Sequence, residues 1–144
     1  MKLKSAIIVA ALGLALPAQA QDASGDADKG EKGFGKCRAC HMIENDAGEV
    51  IVKGGKTGPN LFGLPGRIAG KHADFGYSDA MVAAGDKGFT WDEEHFIAYT
   101  QDPTEFLKEY LEDGKARSKM TFKLRKEEEA RDIWAYLEKV AAGS

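Results

Sequence analysis

Apolar residues recur at helical spacing most clearly near the end of the chain. There Ile133, Trp134, Leu137 and Val140 give the segment Arg125 to Ala142 one apolar face. A second amphipathic run, Thr104 to Glu112, gathers Phe106, Leu107, Tyr110 and Leu111 on one side. Thr90 to Gln101 reads as a third helix, which Thr90 can cap while Glu93, three positions on, completes a capping box. Pro103 either follows the end of that helix or opens the next one in its first turn. Ser78 to Ala84 predicts a short helix with Ser78 as N-cap. Asp28 to Lys36 predicts another with Asp28 as N-cap, turning Gly30 and Phe34 inward.

Between these segments the pattern breaks down. Asn45-Asp46-Ala47-Gly48 and Gly54-Gly55 flank Val50-Ile51-Val52, which predicts a small hairpin or surface loop over Glu44 to Lys56. Thr57-Gly58-Pro59-Asn60-Leu61-Phe62-Gly63 followed by Leu64-Pro65-Gly66 is a rigid loop signal. Gly114 to Met120 is a basic loop, and Gln21 to Asp28 reads as a frayed end. There is no internal repeat and no low-complexity segment. The expectation is an all-α, or mostly α, domain with long irregular connections. Such connections are unusual unless something packs inside them.

Composition narrows the class. With 144 residues, 43% hydrophobic and 30% charged, the chain fits one domain that is neither wholly membrane-embedded nor disordered. Lys plus Arg is 20 against 23 Asp plus Glu, a net charge of −3 that gives no basic footprint for nucleic acid. Residues 1–20 read as a secretory signal peptide. Lys2 and Lys4 form the basic start, Ala6 to Leu16 the apolar run, and Ala18-Gln19-Ala20 the cleavage site. That run is too short to span a hydrocarbon core. Cleavage after Ala20 leaves residues 21–144 as a single domain, stripped of Lys2 and Lys4 and so more acidic. Export implies an oxidising compartment, the periplasm.

Cys37 and Cys40, the only two cysteines, stand in Cys37-Arg38-Ala39-Cys40-His41. C-x-x-C-H is a pattern for attaching c-type haem. Two thiols three positions apart on a helical turn can reach the two vinyl groups of one porphyrin, and His41 is then held beside the iron. A thioredoxin-like pair would need a βαβ context that is not present here. A structural disulfide gives His41 no role. A zinc site needs about four ligands, and neither His72 nor His95 shows a paired-ligand spacing.

For the far side of the iron the candidates are Met42, His72, Met81, His95 and Met120. Met42 adjoins His41 and cannot straddle the ring. His95 reads as a half-exposed helix residue, His72 as solvated, and Met81 as core filler. Met120 is an apolar residue flanked by polar ones in a loop, with less reason to be there for packing. On these grounds Met120 leads without excluding the others. A His/Met iron is typical of electron-transfer cytochromes.

Taken in order along the chain, these landmarks resemble the class I c-type cytochromes, most closely their bacterial cytochrome c2 branch. The resemblance runs through Cys37 to His41, Thr57-Gly58-Pro59-Asn60-Leu61, Gly66-Arg67, Tyr77-Ser78-Asp79-Ala80, Thr90-Trp91, Tyr99, Lys119-Met120 and Ile133-Trp134-Ala135-Tyr136-Leu137. It implies the cytochrome c fold, several helices and long loops around one haem bound covalently through Cys37 and Cys40. It also implies Met120 as sixth ligand and the Pro59 carbonyl as acceptor for the free ring nitrogen of His41. Tyr77 and Trp91 would bond a haem propionate, Arg67 would help neutralise it, and Tyr99 would lie near the ligand sulfur. Gly30 and Phe34 would pack on the last helix through Ile133 and Tyr136. Two segments, His41 to Pro59 and Pro103 to Met120, are longer than in mitochondrial relatives. Met81 falls where those relatives carry a polar residue of the haem pocket.

The function so implied is that of a soluble, monomeric periplasmic one-electron carrier, and not an enzyme. Its partners would be the cytochrome bc1 complex as reductant and a photosynthetic reaction centre or a cytochrome oxidase as oxidant. Docking on these membrane proteins would be transient, through Lys36, Lys56, Lys71, Lys115, Lys119 and Lys123, which flank the haem-binding segments in sequence. Two other classes compete: a peroxidase or gas sensor with an open sixth position, and a haem domain fixed in a membrane complex.

Overall fold

The computed structural model describes residues 23–143. The signal sequence read over residues 1–20 lies outside the described residues. Five α-helices follow in order: α1 (Ala27–Gly33), α2 (Asp79–Asp86), α3 (Glu93–Gln101), α4 (Pro103–Leu111) and α5 (Glu127–Ala142). A single 3-10 turn, Phe34–Lys36, continues α1. The only described sheet is the hairpin of β1 (Ile43–Glu44) and β2 (Val50–Val52). The fold is mostly α, with long loops, as the pattern predicts.

The first and last helices form the frame. Gly30 makes their close approach possible: a Cβ there would fall 1.8 Å from the Asp132 carbonyl oxygen. Ile133 packs beside Gly33, and the Phe34 and Tyr136 rings meet at 5.8 Å. The buried Asp132 carboxylate accepts the Asp26 N–H at 2.8 Å, so its burial leaves that oxygen partnered. Helix α3 packs on α5 through Phe96 and Trp134, whose centroids are 5.4 Å apart. At Asp102 the chain turns from α3 into α4. The Asp102 side chain accepts the Glu105 N–H, and Pro103 occupies the first turn, where its missing N–H costs nothing. Of the two readings of Pro103, the structure takes the second.

Several caps differ from expectation, each for a tertiary reason. Asp26, not Asp28, caps α1, accepting from the N–H groups of Asp28 and Lys29. Asp28 instead reaches Lys139 of α5 at 2.9 Å. The helix also ends at Gly33 rather than Lys36. Asp92, not Thr90, caps α3, because Trp91 is held extended by backbone bonds to Arg67 and Gly66. Glu93 makes no capping box; it accepts both the N–H and the hydroxyl of Ser24. Residues 23–26 are therefore tied down, where a frayed end was expected. Ser78 does cap α2, accepting the Met81 N–H at 3.2 Å, and that helix runs two residues further than expected, to Asp86. Helix α5 starts at Glu127, two residues after Arg125.

Candidate functional site

The Cys37-to-His41 segment is a closed turn at the end of the 3-10 helix. The Cys37 carbonyl accepts the N–H of both Cys40 and His41, at 3.1 and 2.9 Å. This winding turns Cys37, Cys40 and His41 toward one cleft. Both thiols are free, and burial pushes the Cys37 thiol up to about 11. A loop lies directly on this turn. Gly55 N–H donates to the Arg38 carbonyl, Gly58 N–H to the Cys40 carbonyl, and Arg38 Nε to the Lys53 carbonyl. The contact is so close that a Cβ on Gly54 would meet the His41 carbonyl oxygen at 1.9 Å. One on Gly58 would meet the His41 ring at 2.4 Å.

His41 Nδ1 lies 2.8 Å from the Pro59 carbonyl oxygen. A carbonyl can only accept, so Nδ1 carries the hydrogen and Nε2 keeps its lone pair. Burial lowers the His41 pKa, and the bond to Pro59 opposes that shift only in part. The lowered pKa favours the neutral ring at pH 7, the form that binds a metal.

The cleft encloses a cavity of about 280 Å³. Besides the motif, its walls include Pro59, Tyr77, Met81, Trp91, Tyr99 and Met120. Trp91 and Tyr99 meet edge to face at 5.1 Å. The Tyr99 hydroxyl lies 2.8 Å from Ser118 Oγ, and burial pushes its pKa up to about 12, so it stays protonated at neutral pH. Arg67 stands behind this wall. Its guanidinium donates to the carbonyls of Asn60, at 3.0 Å, and Phe62, and it faces Tyr77. Burial raises the Tyr77 pKa, and Arg67 works against that rise.

Of the other ligand candidates, all but Met81 fall elsewhere. His95 packs among Phe89, Phe106 and Tyr110, with Nδ1 3.0 Å from Asp92 Oδ2. Neither His72 nor Met42 lines the cleft, whereas Met81 does, buried. Of the six lysines, Lys36 and Lys119 border the cleft and Lys56, Lys71, Lys115 and Lys123 do not. Three are paired: Lys36 with Glu129, Lys71 with Asp86, and Lys123 with Asp102, at 2.6, 2.5 and 2.6 Å. Sequence reading left out Ser118 and the packing roles of Gly54, Gly55 and Gly58. The Gly54-Gly55 pair was visible, but only as turn chemistry.

The donor set fits a haem: two free thiols, an imidazole whose Nε2 lone pair is available, and the thioethers of Met81 and Met120, all lining one largely apolar cleft. Among the described residues no three His, Cys, Asp or Glu side chains converge as a metal-ligand set, so a zinc site finds no support. A mostly helical chain closed around such a cleft has the architecture of a c-type cytochrome.

No family model matches the chain. Among curated proteins it is 57% identical over 129 residues to cytochrome c2 of Cereibacter sphaeroides, covering 88% of each chain. It is 45% identical to cytochrome c-550 of Paracoccus denitrificans, over 95% of this chain and 87% of that one. The solved structure of cytochrome c2 from Rhodobacter sphaeroides superposes with a TM-score of 0.80 at 57% identity, covering 82% of this chain and 98% of that one. The chain belongs to the cytochrome c2 family. It is a c-type cytochrome, an electron carrier whose cofactor is haem c.

Proposed function

We propose that this chain is an exported, monomeric one-electron shuttle and not an enzyme. Its single haem would be bound covalently through Cys37 and Cys40 and ligated by His41 and Met120. The observation that carries the reading is the cleft that gathers the Cys37 and Cys40 thiols, the free Nε2 side of His41 and the Met120 side chain. Each thiol would add across one vinyl group, forming a C–S bond while the hydrogen goes to the other vinyl carbon. Once bound, the haem iron supplies one-electron exchange between its ferrous and ferric states.

The protein's own residues would keep that exchange clean. Pro59 fixes the tautomer and plane of His41, which also makes the ring a better donor. With His41 and Met120 both holding the metal, no position on it would be left for a substrate. Tyr77 and Trp91 would anchor a propionate, with Arg67 behind Tyr77 as counter-charge. Tyr99, held protonated by burial, brings a neutral hydroxyl rather than a charge to the wall beside Met120.

Export would follow from residues 1–20, leaving 21–144 in the periplasm. Among the described residues no helix is long and apolar enough to cross a membrane. The reductant would be the cytochrome bc1 complex, and the oxidant a photosynthetic reaction centre or a cytochrome oxidase. Lys36, Lys56, Lys71, Lys115, Lys119 and Lys123 remain the docking set, with Lys36 and Lys119 at the cleft border.

An absorption spectrum of the exported protein tests the centre. The alkaline pyridine assay should return one c-type haem per chain, and the ferric protein should show the weak far-red band of iron–methionine ligation. Correctly exported protein without haem would overturn the reading. Docking has its own test. Replacing Lys36 and Lys56 by Glu should slow transfer to the bc1 complex or an oxidase at low salt and flatten the salt dependence, because steering by exposed charge is screened by ions. Unchanged rates and slope would remove those two lysines from the docking face.

A further inference from the structure

Among the described residues the buried core holds two polar side chains apart from its tyrosines and tryptophans, Thr100 and Asp132. Asp132 is accounted for by the α1–α5 contact, where it accepts the Asp26 N–H. Thr100 serves no such contact through its side chain. It lies on α3, is only 6% exposed, and lines the cleft together with the buried apolar residues Leu61, Leu64, Met81 and Phe96. A valine would fill this place with a side chain of the same branched outline and would bury no oxygen. The hydroxyl is oriented by its own helix. Thr100 Oγ1 lies 2.8 Å from the Phe96 carbonyl oxygen and 3.1 Å from that of Ile97. Both are acceptors, so the single hydroxyl hydrogen is spent on the helix backbone. No donor among the described residues reaches the oxygen in return. What Thr100 offers its surroundings is therefore an oxygen with free lone pairs, in a wall that is otherwise largely apolar.

We propose that the Thr100 hydroxyl tunes the electron affinity of the haem held in this cleft, biasing it toward the ferric state. The ferric centre carries one more positive charge than the ferrous one. An oxygen whose hydrogen is turned away into the helix presents the negative end of its dipole, and that end stabilises the more positive state. Burial makes the effect count, because little water is present to screen it. The neighbouring Tyr99 oxygen differs, since it is already paired with Ser118 Oγ at 2.8 Å. Thr100 is not a ligand and makes no demand on which methionine is one. The inference rests on the reading of this cleft as the haem site, and its test separates failure of the one from failure of the other.

The test is a redox titration of the holoprotein, followed by its visible spectrum, for the parent, Thr100→Val and Thr100→Ser. Thr100→Val removes the oxygen and keeps the branched shape. It should shift the one-electron equilibrium toward the ferrous state about threefold or more, which at about 59 mV per tenfold change is a rise of about 30 mV in midpoint potential. Thr100→Ser keeps the hydroxyl, loses a methyl group and should stay close to the parent potential. The ferric spectrum of Thr100→Val should match that of the parent, because the ligands of the iron are untouched. An unchanged or lowered potential in Thr100→Val, beside a parent that carries its haem, would overturn this inference alone. So would equal shifts in the valine and serine variants, which would trace the effect to packing rather than to the oxygen. A changed ferric spectrum in Thr100→Val would also overturn it, since the residue would then act on the ligand set. Exported protein that takes up no haem would overturn the reading of the site and the role of Thr100 with it.

Discussion

Met120→Ala should abolish the far-red band of the ferric protein and lower its midpoint potential by on the order of 100 mV or more, since axial ligands set haem potentials over a wide range. The direction follows from the ligand chemistry. A neutral thioether is a soft donor that favours ferrous iron. Its removal admits water, a harder ligand that favours the ferric state. The same opening should let the reduced variant bind carbon monoxide, which the parent protein should not. Met120 lies in the loop between α4 and α5, outside every helix, so the far-UV spectrum should change little. The cleft contains a second thioether, Met81, buried on α2. If Met120→Ala kept both the band and the potential while Met81→Ala lost them, the ligand would be Met81. The experiment therefore decides between the two methionines that the geometry leaves in the cleft.

What the sequence discloses depends on whether a feature is contiguous. The amphipathic periods of α4 and α5 lie within single segments and could be read within about two residues of their observed starts and ends. The Cys37-to-His41 motif is likewise one stretch, and its chemistry is legible without a structure. Met120 was harder to read, because the cleft that separates it from His95 and His72 is assembled from distant segments. Residue chemistry put it first without excluding the others, and only the resemblance singled it out. The caps show a related limit. Thr90 is a good cap by type, but backbone bonds from Trp91 to Arg67 and Gly66 hold that stretch extended and pass the role to Asp92. Likewise Asp26 and Asp28 are the same residue type two positions apart. The helix start falls to the one whose N–H meets Asp132 across the α1–α5 contact. Ser118 gave no signal at all. A serine in a basic loop is ordinary until Tyr99, Thr104 and Met120 are seen to converge on it.

Gly58 presents the same limit in its sharpest form, and Gly58→Ala should be among the most damaging small substitutions in the protein. An added methyl would sit 2.4 Å from His41 Cε1 and 2.7 Å from Nδ1, well inside contact distance. The ring cannot simply yield, because Nδ1 is bonded to the Pro59 carbonyl one residue further along the same loop. Nor can the loop lift away alone: Gly58 N–H is bonded to the Cys40 carbonyl, and Gly54 and Gly55 lie directly on the motif backbone. Either the His41–Pro59 bond or the seat of the loop must break. Overpacking of this kind costs about 1–3 kcal/mol, and the constrained surroundings favour the upper end. Gly35→Ala is the matched control, since a Cβ there meets nothing within 4 Å. Urea unfolding should therefore show a large loss for Gly58→Ala and little change for Gly35→Ala. Exchange of the His41 Nδ1 proton, followed by NMR on the holoprotein, should accelerate only in the former. Equal stability and equal exchange in the two variants would mean that the ring does not rest on Gly58. The restraint on the His41 ring would then have to come from Pro59 alone.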